Sequence, residues 1–179
     1  MEFFYVINPA TSIEKNVTKD IALAIMREAG VRTPDFFTAG QTPTTGIYVQ
    51  RAINHESGEG FCLMKYTGEK VPDGHVAVAA LSPTQEYRVW FVRDKMRRGR
   101  RVGVSLMHEE EERKLYPCRS KFGYEDLTIE DRDSLFKWVA KAVSAMHLDV
   151  GAADVVLYDG KYYILEINTA PAVDTTSLS

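Results

Sequence analysis

The chain has 179 residues, 45% of them hydrophobic and 26% charged, so it is long enough and apolar enough to bury one sizeable core. Its formal net charge of −3 argues against general nucleic-acid binding, which usually leaves a basic footprint on the surface. The longest apolar run, residues 76–81, is too short to span a bilayer, and the N-terminus lacks the features of a signal peptide, so we expect a cytoplasmic protein with no membrane partner.

The first half of the chain predicts one helix and several short strands. The helix covers residues 18–29, where apolar residues recur at helical spacing and Gly30 supplies a stop signal. A loop over residues 52–60, which contains two glycines, separates the second strand from the third. The four predicted strands cover residues 31–37, 46–51, 61–66 and 76–81.

The second half begins with a strand over residues 86–92 whose apolar positions alternate with polar ones, which predicts one buried face. A basic strand follows over residues 95–104. A helix is predicted from a capping signal at Thr128 to an end near His147, with an apolar stripe of Leu135, Val139, Val143 and Met146. Helices and mostly antiparallel strands are mixed without regular βαβ alternation, so the predicted fold class is α+β.

Two apolar strands close the chain and meet at the turn Asp159-Gly160-Lys161. A three-residue loop with glycine at the left-handed bulge position is a common hairpin connection, and it would pair Tyr158 with Tyr162. That register sets Asp154 opposite Glu166. A two-residue loop would instead send Asp154 and Glu166 to opposite faces of the hairpin.

The expected pairing brings Asp154 and Glu166 together, with Asn168 two positions further along the same face. Paired side chains of neighbouring strands lie about 5 Å apart, so two carboxylates held there repel one another unless a cation lies between them. Hard oxygen ligands of this kind suit Mg²⁺. The alternative is an ordinary hairpin with polar strand ends.

Three further features are candidates for binding anions. The loop that follows Arg51 can present backbone N–H groups to a phosphate, although turns that contain glycine are common. Arg88, on the polar face of its strand, needs an anionic partner, either a phosphate or an acid such as Glu86. The basic strand raises the alternative of RNA binding, but it lacks interleaved aromatic residues for stacking on bases.

The segment from Gly151-Ala-Ala-Asp154 to Glu166-Ile-Asn168-Thr-Ala-Pro resembles the closing motif of the ATP-grasp ligases, in particular the ribosomal-protein glutamate ligases and the phage-type ATP-grasp proteins. The resemblance covers roughly residues 15–176. It implies an ATP-grasp fold, in which two α+β lobes with mostly antiparallel sheets enclose a nucleotide site. The small lobe would cover residues 38–82, and the large lobe residues 83–179 together with the segment 1–37.

The resemblance also implies residue roles. Asp154, Glu166 and Asn168 would hold Mg²⁺, and this ion would bridge the phosphates of ATP. Mn²⁺ could replace it. Arg88, with Arg101 or Arg100, would stabilise an acyl-phosphate, and the substrate side would be lined by Arg119 and Ser120. The nucleotide would be contacted by Lys19, Arg51, Ser57, Gly58, Gly60, Ala80 and Leu81.

The chain departs from the family pattern in three ways. Arg51 replaces the usual lysine, and the strand over residues 76–81 lacks the acidic residue often found near the adenine and ribose. We also expect no N-terminal pre-ATP-grasp domain. A homodimer or a partner protein would then cover the surface that this domain normally buries.

The implied activity is ADP-forming ligation of a small-molecule or peptide carboxylate to an amine, with ATP and Mg²⁺ as cofactors. The alternative is a nucleotide-binding regulatory or scaffolding subunit without ligase activity. A weaker third hypothesis, RNA binding through the basic strand, predicts binding that falls steeply with salt.

Overall fold

The computed structural model describes residues 7–53, 62–83, 85–93, 95–101, 122–123 and 129–170. Within these ranges lie the helices α1 (Ala10–Val17), α2 (Lys19–Glu28) and α3 (Ile129–Met146). The strands are β1 (Phe36–Thr38), β2 (Gly46–Ala52), β3 (Cys62–Tyr66), β4 (His75–Ala79), β5 (Gln85–Val92), β6 (Lys95–Arg101), β7 (Phe122–Gly123), β8 (Val150–Tyr158) and β9 (Lys161–Asn168). They form an antiparallel small sheet of order β1-β4-β2-β3 and an antiparallel large sheet of order β7-β6-β5-β8-β9. The predicted α+β class is confirmed.

The small sheet buries one face in a compact aromatic core. Tyr48 of β2 and Tyr66 of β3 are buried and meet edge to face, with ring centroids 5.6 Å apart. Successive side chains of a strand point to opposite faces, so Val49 and Arg51 of β2 lie on the other face of this sheet. The small sheet therefore keeps its core on one side and leaves a cation on the other.

The large sheet follows the same logic with a larger core. The alternation predicted for β5 is confirmed, since Tyr87, Val89 and Phe91 are buried in the main core. The stripe predicted for α3 is also confirmed, and with α2 this helix covers the apolar face of the sheet. The buried stripe residues are Leu135, Val139, Val143 and Met146. The opposite face of β5 carries Arg88, away from this core.

Helix α2 confirms the predicted helix over residues 18–29, whereas α1 was not predicted. This helix is short and is held by buried amide side chains rather than by an apolar stripe. Asn8, just before α1, accepts backbone hydrogen bonds from Asp149 (2.8 Å) and Val150 (3.0 Å) and donates one to the Val150 carbonyl (2.7 Å). Asn16 donates to the Ile167 carbonyl of β9 (2.7 Å). Such distant contacts leave no periodic pattern in the sequence.

The strand predicted over residues 31–37 is wrong for most of its length, because only Phe36–Thr38 pairs with β4. Pro34 has no N–H to donate to a ladder, which disfavours a strand there. The preceding residues instead make isolated backbone hydrogen bonds. The N–H of Val31 donates to the Met26 carbonyl (2.8 Å), and the N–H of Ile164 donates to the Arg32 carbonyl (2.9 Å). The segment thus ends α2 and borders β9.

The closing hairpin corrects the predicted loop and explains why the predicted pairing still holds. Tyr158 pairs with Lys161 rather than with Tyr162, so the loop has two residues, Asp159 and Gly160. Their φ angles of 49° and 66° are both positive, which is typical of a type I′ turn.

A β-bulge then shifts the register by one residue. Val155 pairs with Ile164 and Asp154 pairs with Glu166, so Leu165 is the extra residue on β9. A two-residue loop alone would place Asp154 and Glu166 on opposite faces, and the bulge returns them to the same row.

Among the residues that the structure describes, none of the helices combines the length and the apolar content needed to cross a bilayer.

We expect Gly151→Ala to destabilise the fold, because a Cβ at Gly151 would lie 2.5 Å from the backbone oxygen of Asn168 and 2.8 Å from the ring of Phe91. Overpacking of this kind costs about 1–3 kcal/mol, measurable as a lower midpoint in urea unfolding. Gly46→Ala in β2 is the matched control, since its new Cβ would come no closer than 3.3 Å to the ring of Tyr48 and 3.8 Å to the backbone oxygen of Thr44. Equal stability of Gly151→Ala and the native protein would contradict this packing argument.

Candidate functional site

Three oxygen-bearing side chains lie together on one face of the large sheet, one from the middle of β8 and two from the end of β9. Asp154 pairs with Glu166 in the register, and Asn168 pairs with Ala152. The Nδ2 of Asn168 donates to Oδ2 of Asp154 (3.1 Å) and lies 3.4 Å from Oε1 of Glu166. The structure therefore brings together the three residues that the sequence predicts as metal ligands, and their role as ligands stays a prediction.

Arg88 of β5 lies directly beside Asp154 in the register. Its Nε donates to Oδ1 and its Nη2 donates to Oδ2, each at 2.7 Å, so the pair is bidentate. Charge-assisted bonds in this forked geometry are among the stronger hydrogen bonds in proteins. The anionic partner that Arg88 needs is therefore Asp154, which the sequence did not indicate.

Glu166 is contacted by cations from two other parts of the fold. Lys19, the first residue of α2, places its Nζ 3.2 Å from Oε2 of Glu166. Arg51, from β2 of the small sheet, places its Nη2 3.0 Å from the same oxygen. The backbone N–H of Lys19 also lies 3.5 Å from the carbonyl oxygen of Ile53, just after β2. Glu166 is thus the point where both sheets and α2 meet.

The pKa of the Glu166 carboxyl reflects this environment. Burial alone raises the pKa, because it disfavours the charged form. The charges of Lys19 and Arg51, and their hydrogen bonds to the carboxylate, outweigh burial and lower the pKa from 4.5 to about 2. Glu166 is therefore an anion at neutral pH.

Five residues of opposite charge and the neutral Asn168 form one group, which we call the ion-pair cluster. It consists of Lys19, Arg51, Arg88, Asp154, Glu166 and Asn168. The sequence predicted all six as parts of one site but not the direct contacts between its cations and its carboxylates. It also missed Asn16, whose amide supports the β9 backbone at Ile167, next to Glu166 and Asn168. The pair Asn8-Pro9, a signal for a chain turn, was the only local sign of α1.

The donor set of the cluster fits a hard divalent cation. Two carboxylates and one side-chain amide can supply oxygen ligands from neighbouring strands, as Mg²⁺ prefers. No group of three His, Cys, Asp or Glu side chains that could hold a metal occurs among the described residues. A metal here would therefore take the oxygen of Asn168, after rotation of its amide, and additional oxygens from substrate or water.

The other predicted site residues are less fully placed. Ala80 and Leu81 directly follow β4, and the Ala80 N–H donates to the Ile47 carbonyl of β2 (3.0 Å). Arg100 and Arg101 end β6, where their backbones pair with Gly123 and Phe122. Outside the described residues lie Ser57, Gly58, Gly60, Arg119 and Ser120.

Comparison with known proteins gives a match by structure but none by sequence. No family model matches the chain, and no curated protein matches it. A D-alanine–D-alanine ligase from Bacillus anthracis superposes with a TM-score of 0.71 at 16% identity, over 92% of this chain and 60% of that one. An L-amino acid ligase from Bacillus licheniformis gives a TM-score of 0.67 at 21% identity, over 94% of this chain and 44% of that one.

A third solved structure is the ATP-grasp ligase PsnB complexed with the precursor peptide PsnA2 and AMPPNP. Its TM-score is 0.67 at 16% identity, over 96% of this chain and 57% of that one. The chain therefore spans between 44% and 60% of the length of these three ligases. The protein shares the fold of these ligases, so the ATP-grasp fold that the resemblance implies is confirmed. Membership of the superfamily, the finer resemblance to ribosomal-protein glutamate ligases and the predicted lobe boundaries stay predictions.

Because the pKa of Glu166 is lowered in the folded protein, the free energy of unfolding falls as the pH is lowered into the acid range. Its stabilisation is fully present above the ordinary pKa of 4.5 and is lost as the pH falls towards about 2, because the unfolded chain then binds the proton more readily. We expect the native protein to lose on the order of 2 kcal/mol more than Glu166→Gln between about pH 5 and pH 3 in urea unfolding. Glu14→Gln, which changes an exposed glutamate of α1, is the control. Parallel pH profiles for the native protein and Glu166→Gln would contradict the ion pairs.

Proposed function

We propose that the protein is an ATP- and Mg²⁺-dependent ligase that joins a carboxylate to an amine through an acyl-phosphate and forms ADP. The observation that carries the proposal is the ion-pair cluster, in which two carboxylates and three cations from both sheets and α2 surround one point. The solved structures that share the fold support it, since they include ligases for D-alanine and for L-amino acids, and a ligase complexed with ATP. At these identities the likeness supports a class of chemistry and no particular substrate.

Mg²⁺ would be held by Asp154, Glu166 and Asn168. When bound, the ion would neutralise charge on the ATP phosphates and on the phosphoryl group being transferred. Mn²⁺ has the same preference for oxygen ligands and could replace it.

The nucleotide would be held by the cations that contact Glu166. Lys19 would act as a point charge on a phosphate, and Arg51 would offer forked geometry in place of the usual lysine. The backbone N–H groups of the loop with Ser57, Gly58 and Gly60 would add donors to the phosphates. The segment of Ala80 and Leu81 would meet the adenine.

The substrate carboxylate would attack the γ-phosphate, which breaks the bond to ADP and gives an acyl-phosphate. Arg88, with Arg101 or Arg100, would stabilise the negative charge on this group. The amine would then attack the acyl carbon, phosphate would leave, and the nitrogen would lose a proton to give the amide. In these reaction steps, no side chain of the protein forms a covalent bond with the substrate.

The acid and amine would be amino acids or peptides, and Arg119 and Ser120 would line their side of the site. A second copy of the chain or a partner protein would contribute to the surface that binds the acceptor.

The ion pairs also support a second function, a regulatory or scaffolding subunit that binds nucleotide without turnover. Lys19, Arg51 and Arg88 each already contact a carboxylate of the protein. If these contacts persist in the complex with ATP, the γ-phosphate would not be aligned for transfer to a carboxylate. This function predicts ATP binding with no ADP release for any pair of acid and amine.

The first test is calorimetric titration of ATP and ADP, with and without Mg²⁺, into the native protein, Glu166→Ala and the exposed control Glu14→Ala. We expect Mg²⁺ to tighten ATP binding by about tenfold or more in the native protein and the control, and to have no such effect in Glu166→Ala, which has lost a ligand. Absence of ATP binding by the native protein at every Mg²⁺ concentration would contradict both functions.

A second test separates ligation from binding alone. ADP release with panels of amino acids and peptides should fall on the order of 100-fold or more in Glu166→Gln, because the neutral amide can no longer balance the metal charge. Its circular dichroism at neutral pH should match that of the native protein. Full turnover by a folded Glu166→Gln would sink the mechanism, and ATP binding without any ADP release would favour the scaffolding function.

A further inference from the structure

Every carboxylate oxygen of the ion-pair cluster already faces a donor group of the protein. Oε2 of Glu166 receives Lys19 and Arg51, and its Oε1 faces Nδ2 of Asn168. Oδ1 of Asp154 receives Nε of Arg88, and Oδ2 receives both Nη2 of Arg88 and Nδ2 of Asn168. Each of the four carboxylate oxygens therefore has at least one N–H donor within 3.4 Å.

The charges of the cluster do not cancel. Three cations, Lys19, Arg51 and Arg88, face two carboxylates, so the formal sum is three minus two, or +1. The side chains in these pairs keep only 16% to 26% of their exposure, so water screens the charges less than at an open surface. Cations that already contact these carboxylates oppose the approach of a divalent cation and attract the anionic phosphates of a nucleotide.

The contacts also link different parts of the fold. Arg51 belongs to the small sheet and Glu166 to the large sheet, and their side chains meet at 3.0 Å. A metal ion on Oε2 of Glu166 would compete with Arg51 and Lys19 for this oxygen. Asn168 must in addition turn its amide, because Nδ2 now faces both carboxylates.

We propose that the ion-pair cluster excludes divalent metal until a polyphosphate binds, so that the nucleotide creates the metal site by drawing Lys19 and Arg51 away from Glu166. The order of assembly rests on the proposed function of the same site. Nucleotide and metal are then coupled through an exchange of partners: phosphate oxygens take the cations, and the metal takes the carboxylates. By linkage, the metal strengthens nucleotide binding by the same factor by which the nucleotide strengthens metal binding.

The inference is tested by Mn²⁺ binding, followed through the electron paramagnetic resonance signal of the free ion. The titrations use the native protein alone and the native protein saturated with AMPPNP, an analogue that cannot transfer its γ-phosphate readily. We expect Mn²⁺ to bind at least about tenfold more tightly in the presence of the analogue, once the free analogue's own Mn²⁺ binding is subtracted.

The decisive variant is Arg51→Gln in the absence of any nucleotide. Loss of one charge-assisted hydrogen bond on Oε2 should tighten Mn²⁺ binding about tenfold relative to the native protein. Lys19→Gln removes the other cation from the same oxygen and should act in the same direction if Arg51→Gln folds poorly. Lys137→Gln, on the exposed side of α3 away from the cluster, makes the same change in net charge and should leave Mn²⁺ binding unchanged.

The outcomes separate this inference from the proposed function. Mn²⁺ binding by the nucleotide-free native protein as tight as with AMPPNP would overturn the inference while leaving the proposed function intact. Unchanged Mn²⁺ binding in folded Arg51→Gln and Lys19→Gln would overturn it as well. Failure of AMPPNP to bind would overturn the proposed function and the opening step together, whereas tighter Mn²⁺ binding in the variants would still support exclusion of the metal by these cations.

Discussion

The charge on Glu166 is the interaction on which the arrangement of the site depends. A carboxylate that is largely removed from water stays ionised only if opposite charges compensate for its lost hydration. Here the compensation comes from the first residue of α2 and from a strand of the other sheet, through Lys19 and Arg51. Because both cations contact the same oxygen, β9, α2 and β2 are held at one point, and the site exists only where these elements meet. The same two ion pairs therefore stabilise the charge on Glu166 and fix the geometry of the site.

The two sheets make this possible because each fills its core from a single face. In β2 the alternation sends Tyr48 into the aromatic core and Arg51 to the other side. In β5 it sends Val89 into the main core and Arg88 towards Asp154. One face of each strand therefore packs in a core, and the opposite face carries the charged residues of the site. The face that carries charge is then assembled by register, since Arg88, Asp154 and Glu166 occupy one row across three neighbouring strands.

Local periodicity was enough to predict the elements whose burial is local. The alternation of β5 and the stripe of α3 repeat within a few residues, so the sequence shows them directly. Helix α1 could not be predicted in this way, because Asn8 and Asn16 bind backbone groups 142 and 151 residues away. The ion pairs could not be predicted for the same reason. Lys19 and Glu166 are 147 residues apart in the chain, and only the fold brings them together. Family resemblance identified the six residues of the cluster, but their contacts depend on tertiary geometry.

The hairpin shows how two irregularities can together preserve a functional pairing. A type I′ turn at Asp159 and Gly160 shortens the loop by one residue and, acting alone, would set Asp154 opposite Leu165. The bulge removes Leu165 from the ladder and leaves it 37% exposed, whereas Ile164 beside it is fully buried. Turn and bulge are therefore coupled, because either one without the other would rotate Glu166 away from Asp154. Bulges also increase the local twist of a strand, and this one lies directly beside the carboxylate that must reach across to Lys19 and Arg51. The departure from ideal pairing is thus part of how the large sheet directs Glu166 towards the rest of its site.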